Sequence, residues 1–575
     1  MNSRLRLPLF AMILGLVVAI AGIGLLRLIA LVTNLSYYGR FSFQEIEPGF
    51  ATFGMLALAA PVVGGLIIGL VARFGSPEIR GHGIPEVMQG VMMNQSRIPL
   101  KVALLKPVCA AISIGTGGPF GAEGPVIATG GSIGSLLGQW IPTSASERKT
   151  LLSAGAAAGV TAVFGTPLAG VLIAIELLLF EFRSRSLLPV AMAAGTAMAI
   201  RSLFGEPFPM LPLPAPQAPG LIITFGAIII GCSCGFASVG LTKILHTLEH
   251  AFEKLPIHWM WKPALGGVAV ALIGWINPRT LGPGYESLRE LLHGHLAVTA
   301  ILALLVYKFI SWSISLSSGT TGGTLAPLLM LGAALGAVIA HGIARLPHFQ
   351  DFPIGIAAMI GMAALFAGAS RAFLTSVAFS FEATHSSSAF GPLLIGCAFA
   401  VLISRWLMKE TIMTEKLSRQ GIVVPNDYQP DPLTCLSVAS SMNPAPLTIS
   451  PDMTIQDLVE KITNGPNEWQ LARLFPIISE NRQLVGIISR ADVLAALQTH
   501  HETTVSAACT RNPFCIRENQ SLAEAADLMV LHGVGRLPVL DHLASGRLVG
   551  LISRRHILQA RQHQLLADRR STARA

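Results

Sequence analysis

The chain has 575 residues, of which 52% are hydrophobic and 12% are charged. Because ordinary soluble domains carry about 25% charged residues, this composition excludes a wholly soluble protein. The formal net charge is +9, yet no aromatic interleaving or RNA-binding signature accompanies the basic residues, which argues against a nucleic-acid partner. We expect these residues to lie in loops that set the orientation of a membrane protein.

Apolar runs recur from residue 9 to about residue 408, and many approach or exceed the ~20 residues that cross a bilayer. Clear examples are Phe10–Val32, Leu221–Leu241 and Phe390–Leu407. The first run is too long for a signal peptide and lacks a convincing cleavage site, so we interpret it as a transmembrane helix. Arg4 and Arg6 precede it and predict a cytosolic N-terminus.

The two halves of the apolar region share a pattern of Gly, Pro and Glu. At an offset of 202 residues, Gly121, Pro125, Gly130 and Gly134 match Gly323, Pro327, Gly332 and Gly336. At an offset of 206, Gly155, Leu168 and Glu176 match Gly361, Leu374 and Glu382. The pattern predicts an internal repeat, and such breaks in matching positions are typical of transporter binding sites. We interpret the two glutamates as structural or subunit-interface residues.

Three glycine-rich breaks precede apolar helices, at Gly81–Pro85, Gly121–Pro125 and Gly323–Pro327. Each places a proline near the first helical turn, where its missing N–H costs nothing, and the glycines let the backbone approach a ligand closely. Several helix N-termini converging within the membrane would offer free N–H groups and partial positive charge. This arrangement predicts an anion site that needs no fully charged cation.

Beyond residue 418 the sequence becomes mixed polar and apolar. We predict a membrane domain over 1–417, a linker over 418–436, similar modules over 437–500 and 501–563, and a basic tail over 564–575. Each module alternates strand-like apolar quartets with amphipathic helices, which indicates an α/β fold.

The three breaks resemble the selectivity signatures of the CLC chloride channel and transporter family, usually written GSGIP, GREGP and GxFxP. The resemblance covers residues 10–417. It implies an all-α, polytopic membrane domain built from an inverted repeat of broken helices. It also implies a homodimer in the lipid bilayer of the cell membrane, with an anion pathway for chloride or another small anion in each subunit and with cytosolic termini. Such a protein is not an enzyme.

The family pattern also assigns roles to individual residues. Glu123 would be the gating glutamate, whose carboxylate competes with anions for the outermost site and leaves when it is protonated. A lone acid within a membrane is costly unless it is functional; a helix-capping glutamate is the alternative. The implied anion-binding positions are Gly81, His82, Gly83, Ile84, Pro85, Gly121, Gly124, Thr324, Leu325, Ala326 and Met413.

Three anion-binding positions depart from the family pattern. His82 replaces a serine that binds the central anion; its ring either donates an N–H to the anion or turns away and leaves the backbone to bind. Leu325 replaces a phenylalanine, and Met413 replaces a tyrosine whose hydroxyl contact is thereby lost. These changes bear on which anion is preferred.

Leu177 stands where the family's antiporters carry an internal acid that passes protons. Since leucine cannot carry a proton, we predict passive, channel-like conduction, gated by voltage or pH through Glu123. The alternative is a proton-coupled chloride antiporter of the same fold, in which another group, for example His82 or water, relays the proton.

The C-terminal modules resemble tandem CBS domains, whose nucleotide pocket typically uses an Asp three residues after a Ser or Thr. Ser489 and Asp492 fit this pattern and imply one site for an adenine nucleotide such as ATP or AMP. In the second module Ser553 is followed by His556, which lacks that ribose contact. A structural, dimerising role is the alternative, and no cofactor is expected to be required.

Two further classes of function compete with anion transport. His246, Glu249 and His250 match H-x-x-E-H, the zinc-binding pattern of some metalloproteases. No acidic third ligand is evident, so an intramembrane zinc protease is a remote alternative and no metal is expected. A CBS-regulated cation carrier would need several acids facing a cavity, whereas glycine-rich helix starts favour anions.

Overall fold

The computed structural model describes residues 3–205, 208–213, 220–347, 349–424, 432–499, 503–541 and 546–572. These residues form two compact units, one ending at Glu415 and the other beginning at Lys416. Residues 425–431 of the predicted linker, 500–502 at the predicted module boundary and 573–575 of the predicted tail lie outside the described residues.

The first unit is built from helices. They are α1 (Ser3–Thr33), α2 (Ala59–Phe74), α3 (Ile84–Met93), α4 (Leu100–Gly115), α5 (Glu123–Trp140), α6 (Ala145–Phe164), α7 (Pro167–Ile173), α8 (Ser184–Leu203), α9 (Leu221–Lys254), α10 (Lys262–Ile276), α11 (Tyr285–His293), α12 (Val298–Ser317), α13 (Leu325–Ile343), α14 (Ile354–Ser370), α15 (Phe373–Thr384) and α16 (Phe390–Leu407). Helix α17 (Glu415–Arg419) begins at the junction of the two units. π-Helical turns cover Asn34–Tyr38 and Ala174–Leu179, and short 3₁₀ turns cover Gly54–Leu58, Pro77–Ile79, Trp259–Trp261, Pro278–Thr280 and Ser387–Ala389.

Eight helical segments within the described ranges are long and apolar enough to cross a bilayer. They are Arg6–Tyr38, Gly54–Phe74, Ser184–Leu203, Leu221–Lys254, Trp259–Ile276, Val298–Ser317, Leu325–Ile343 and Ser387–Leu407. Two further apolar segments, Pro167–Leu179 and Ile354–Ser370, are shorter than these eight. The predicted polytopic, all-α membrane domain with broken helices is confirmed.

The centre of the membrane unit is two matching helix pairs, α5 with α6 and α13 with α14. A Cβ atom added at Gly130 would collide with the carbonyl oxygen of Gly155, and one at Gly332 would collide with that of Gly361. Both pairs therefore cross with their backbones in contact, which only glycine allows here. The two crossings use residues that the sequence repeat had matched to each other.

Glu176 and Glu382 each cap the start of a helix in the opposite half of the repeat. Glu176 accepts hydrogen bonds from the backbone N–H groups of Leu374 (3.0 Å) and Thr375 (2.8 Å) in the first turn of α15. Glu382 accepts the equivalent bonds from Leu168 (2.9 Å) and Ala169 (2.8 Å) in the first turn of α7. Each half therefore caps a short helix of the other half, as a two-fold relation between the repeats requires.

The second unit contains two small sheets with helices around them. Its strands are β1 (Leu474–Ile478), β2 (Leu484–Ser489), β3 (Thr510–Arg511), β4 (Ile516–Arg517), β5 (Arg536–Leu540) and β6 (Leu548–Ser553). Its helices are α18 (Ile455–Asn464), α19 (Asn467–Leu471), α20 (Arg490–Thr499), α21 (Val505–Ala508), α22 (Leu522–Leu531) and α23 (Arg554–Thr572), with 3₁₀ turns at Pro432–Thr434 and Val438–Ser440.

The two sheets have the same central hairpin. In the order β1-β2-β3 all pairs are antiparallel, whereas in the order β4-β5-β6 the first pair is parallel. Both hairpins run in register from the last residue of the second strand and shift once near the turn, at Ile477/Ile478 and at Val539/Leu540. The α/β character expected of two similar modules is confirmed.

The backbone crossing at Gly155 yields a stability prediction. Gly155→Ala places a methyl group on the Gly130 carbonyl, and overpacking of this kind costs about 1–3 kcal/mol. The control is Gly240→Ala in α9, where no atom lies within 4 Å of the added Cβ and the gain in helix propensity is up to about 1 kcal/mol. We expect a lower thermal unfolding midpoint only for Gly155→Ala in detergent-solubilised protein. Equal midpoints for the two variants would contradict the close crossing.

Candidate anion site

Three glycine-rich turns meet inside the membrane unit. Gly121 and Gly323 exchange backbone hydrogen bonds, with N–O distances of 3.3 and 3.1 Å, and Gly81 forms a bridge with Thr321. A Cβ added at Gly83 would collide with the Gly124 carbonyl, and one added at Gly124 would collide with the His82 carbonyl. The predicted segments 81–85, 121–124 and 324–326 are thus brought together by direct backbone contact.

Three helices begin at these turns, namely α3 at Ile84, α5 at Glu123 and α13 at Leu325. Each carries its proline in the first turn, where the missing N–H is not needed. The positive φ angles of Gly81 (111°) and Gly83 (93°) lie where glycine alone is unstrained. The first backbone N–H groups and the positive ends of the helix dipoles therefore converge, which is a general arrangement for binding anions.

Glu123 is 1% exposed and lies at this meeting point. Its Oε1 accepts a hydrogen bond of 3.0 Å from the Tyr285 hydroxyl. Its Oε2 has no hydrogen-bond partner within the described residues, and a Cβ added at Gly323 would lie 3.2 Å from it. The carboxylate thus occupies the space between the starts of α5 and α13, beside the backbone groups that would bind an anion.

Tyr285 was not identified from the sequence as a contact of Glu123. It begins α11 directly after Gly282-Pro283-Gly284, a break of the same type as the three that were identified. Lys308, which is fully buried in α12, holds this turn by donating from Nζ to the carbonyl oxygens of Thr280 (3.0 Å) and Gly282 (2.7 Å). The glycine–proline pattern could therefore have identified this helix start from the sequence. The contact between Tyr285 and the distant Glu123 could not have been identified.

A cavity of about 250 Å³ lies beside Ala122 and Tyr285, the neighbours of Glu123. Its lining is largely apolar but also includes charged side chains of both signs. These charged residues are Glu45, Glu47, Glu286, Arg201 and Arg289. Burial raises the pKa of Glu47, which lies in the loop between the first two membrane segments, and a hydrogen bond from the Glu286 backbone partly offsets this rise.

His82 is 7% exposed and directs Nε2 toward Glu249 of α9, 3.5 Å from its Oε1. Its Nδ1 is buried and has no hydrogen-bond partner in the part of the chain that the structure describes. One ring nitrogen is therefore occupied by a carboxylate and the other is available to a ligand. The role of His82 as an anion ligand stays a prediction.

Three buried polar atoms around the turns share this lack of a partner within the described ranges. They are His82 Nδ1, Glu123 Oε2 and Thr324 Oγ1. Buried polar groups in proteins are usually hydrogen-bonded, so these three atoms are available to a ligand at the turns. Twelve other buried side-chain atoms of the described residues share this lack of a partner, so the feature supports a ligand site only together with the backbone geometry.

The remaining predicted positions lie in neighbouring segments. Leu325 and Ala326 are buried in the first turn of α13. Met413 is buried in the turn before α17, where the N–H of the adjacent Ile412 donates to the Ala369 carbonyl (3.2 Å). Leu177 is 4% exposed in the π-helical turn that packs against α3.

The H-x-x-E-H pattern is not assembled as a protease site. His246 Nε2 lies 3.6 Å from Glu415 Oε2, whereas His250 Nδ1 lies 3.5 Å from Glu253 and its side chain is 59% exposed. The two histidines thus face different partners. Glu415, the acid beside His246 and Glu249, comes from a distant part of the chain and could not be found by spacing.

Comparison with known proteins decides the family. The sequence model described as voltage gated chloride channel matches residues 64–405, more than half of the chain. The chain belongs to the voltage-gated chloride channel (CLC) family. The CBS domain model matches residues 437–499 and 505–563, so this CLC protein carries two C-terminal CBS domains.

Several known proteins are similar to this CLC chain. A ClcB-like chloride channel protein of Ralstonia nicotianae is 28% identical over 348 residues, which is 59% of this chain and 80% of that protein. The H(+)/Cl(−) exchange transporter ClcA of Salmonella arizonae is 28% identical over 438 residues, 73% of this chain and 90% of that protein. The crystal structure of a slow cyanobacterial Cl−/H+ antiporter shares the fold, with a TM-score of 0.65 at 23% identity over 73% of this chain and 98% of that one.

In the CBS domains, the predicted nucleotide residues also have a structural role. The Ser489 N–H donates to Asp492 Oδ2 (2.8 Å), and the Asp492 N–H donates to Ser489 Oγ (3.3 Å), which caps the start of α20. In the second domain the His556 N–H donates to Ser553 Oγ at 3.4 Å, so the histidine keeps only half of this cap.

The environment of His556 gives a pH prediction. Burial, then the positive charges of Arg555 and Arg536, lower its pKa below the ordinary value of about 6.5. The folded second CBS domain therefore binds this proton less well than the unfolded chain does, and its stability is lost as the pH falls from about 6.5 toward the folded pKa. We expect faster amide exchange of β6 in wild type than in His556→Asn at pH 5.5, and a smaller difference at pH 7.5. The same difference at both pH values would be evidence against a buried neutral imidazole.

Proposed function

We propose that this protein is a proton-coupled chloride antiporter in which Glu123 alternately binds a proton and yields its place to an anion. The observation that carries the proposal is the buried Glu123 carboxylate at two converging helix starts, with one oxygen held by Tyr285. The Salmonella exchange transporter, which this chain matches over 90% of that protein's length, supports proton coupling.

The arrangement accounts for competition between carboxylate and anion. The N-terminal N–H groups of α5 and α13 favour any negative charge that lies between them. When Glu123 is ionised, its own carboxylate supplies the negative charge at these N–H groups. When Glu123 is protonated, chloride can bind there instead. Gly81, His82, Gly83, Ile84, Pro85, Gly121, Gly124, Thr324, Leu325 and Ala326 form the proposed anion pathway, with Met413 as a further lining position.

Passive, channel-like conduction is the weaker candidate. Its main support is Leu177, which supplies no acid at the position expected for proton transfer, together with the channel name of the Ralstonia relative. The exchange transporter is matched over 73% of this chain, against 59% for that relative. We therefore favour exchange and infer that protons bypass Leu177.

Further parts of the proposal rest on the family and the sequence. We propose a homodimer in the cell membrane with both termini in the cytosol, supported by Arg4 and Arg6 before the first membrane helix. We also propose an adenine nucleotide site at Ser489 and Asp492, with domain limits at 417, 436, 500 and 563. Binding of ATP or AMP to the purified protein tests this site, and Asp492→Ala is expected to abolish it.

Replacement of Glu123 separates the anion path from the coupling. We expect Glu123→Gln, which mimics the protonated gate, to keep or raise chloride flux and to lose the response to pH. The measurement is the reversal potential of proteoliposomes under separately imposed chloride and pH gradients. Glu286→Gln is the control, because Glu286 lines the same cavity but is 56% exposed and pairs with Arg289. Unchanged pH and chloride dependence in Glu123→Gln would rule out the gate.

The Tyr285 hydroxyl gives a second prediction. Hydrogen bonds to charged groups contribute about 1.5–3 kcal/mol, so Tyr285→Phe weakens the hold on the ionised carboxylate. Chloride then displaces Glu123 more easily, and we expect the half-saturating chloride concentration to fall by about ten-fold, the equivalent of about 1.4 kcal/mol. Tyr307→Phe in α12, a half-buried tyrosine, is the matched control. An unaltered chloride dependence in Tyr285→Phe would mean that the hydroxyl does not stabilise the gate.

A further inference from the structure

Proton exchange through this protein needs a route for protons to the anion site, and the expected route is closed. Leu177 is buried in the π-helical turn Ala174–Leu179, and its side chain neither binds nor releases a proton. A titratable group elsewhere must therefore connect the anion site with water. The following inference rests on the proposed antiport function.

We propose that His82, Glu249, His246 and Glu415 form the proton-conducting branch of this antiporter. His82 is the inner end and Glu249 is the group that exchanges protons with it. His246 and Glu415 form the outer end of the branch and pass protons to Glu249. Glu415 is the last residue of the membrane unit.

The spacing of the four side chains supports the branch. His82 Nε2 and Glu249 Oε1 are 3.5 Å apart, and His246 Nε2 and Glu415 Oε2 are 3.6 Å apart. One side-chain nitrogen or oxygen atom from each of His246, Glu249 and Glu415 lies within 4.8 Å of the corresponding atoms of the other two residues. Every step along the chain of four is therefore short enough for a direct hydrogen bond after a small side-chain movement, or for one bridging water.

His82 is the most buried side chain of the branch, and the other three are partly exposed. The side chain of His82 is 9% exposed, that of Glu249 is 23% exposed, and those of His246 and Glu415 are 18% and 15% exposed. One turn farther along α9, His250 and Glu253 are 59% and 66% exposed. The branch thus runs from a buried group beside the anion turns to groups that water reaches.

His82 has the chemistry to connect this branch with the gate. Glu249 gives its proton to Nε2, and the resulting imidazolium releases the proton on Nδ1 through water to the ionised Glu123 carboxylate. The ring is then neutral again, Glu249 is ionised and Glu123 is protonated. Rotation of the ring restores the first tautomer, so one proton moves inward per cycle and the reverse sequence moves it outward. Nδ1 is the buried atom without a partner among the described residues, and the His82 carbonyl abuts Gly124 next to Glu123.

The other charged groups near His82 are engaged elsewhere. Glu86 of α3 accepts the Gly83 N–H (2.7 Å) and lies 3.6 Å from Lys106 of α4. Arg80 lies 4.8 Å from the centre of the Trp259 ring and donates to the Gly319 carbonyl (3.4 Å). Glu249 is the carboxylate that the structure places against the His82 ring, so its protonation is the event that sets the charge of the pair.

The test compares Glu249→Gln with wild type as full-length protein in proteoliposomes, in buffer that contains a chelator. The readouts are chloride efflux and the shift of the reversal potential under a pH gradient at fixed chloride. We expect Glu249→Gln to retain chloride efflux within about two-fold and to lose at least ten-fold of the proton flux. Glu253→Gln, one turn outward on the same helix, is the control and should remain coupled.

Each result has a defined meaning. If wild type shows no response to pH, the proposed antiport function fails, and this branch fails with it. If wild type is coupled and Glu249→Gln is equally coupled, only the branch is wrong. If Glu249→Gln is monodisperse but loses chloride and proton flux alike, Glu249 merely positions His82 and the proposal is overturned.

A second variant covers the case in which Glu249→Gln does not fold. His246→Gln combined with Glu415→Gln removes the outer half of the branch and leaves the contact between His82 and Glu249 intact. We expect proton flux to fall several-fold at unchanged chloride efflux. Full coupling in this double variant would overturn the outer half of the branch as proposed.

Discussion

The structure depends on one constraint, the need to satisfy the backbone N–H groups of helices that begin inside a membrane. Lipid offers no hydrogen-bond partners, so broken helices persist only where protein or a ligand supplies them. Glu382 and Glu176 do this for α7 and α15, and Glu86 does it for α3. The starts of α5 and α13 have the buried Glu123 carboxylate between them. The same physical need thus shapes both the fold and the turns of the candidate anion site.

The reciprocal caps and the glycine crossings explain why the two halves must be assembled together. Glu176 belongs to one half and caps a helix of the other, and Glu382 does the reverse. Removing either half would leave a short helix uncapped and a carboxylate without its donors. The backbone contacts of Gly130 with Gly155 and of Gly332 with Gly361 then fix the core of each half. The two halves therefore stabilise each other, so their symmetric arrangement contributes to stability as well as reflecting the sequence repeat.

Much of this could be predicted from sequence because local chemistry encoded it. The glycine–proline breaks indicated the three turns, and the offsets near 202 and 206 matched residues that the structure shows in equivalent contacts. The contacts of Tyr285 and Glu415 could not be found in this way, since each residue meets its partner only through the fold. The glycine–proline break before Tyr285 marked its position but not its partner. Leu177 favoured channel-like conduction, whereas the similarity to an exchange transporter favours the antiporter alternative. An acid missing at one position does not exclude acids that another helix brings nearby.

His82 illustrates how a substitution at a binding site can be read only with its neighbours. By itself, a histidine in place of a small hydroxyl residue is a change in anion contact. With Glu249 Oε1 3.5 Å from its Nε2, the same ring also has an acidic neighbour from a distant helix. Under the branch proposed above, protons reach the anion site through this pair while chloride binds at the glycine-rich turns. The apolar Leu177 at the expected position therefore does not by itself exclude coupling.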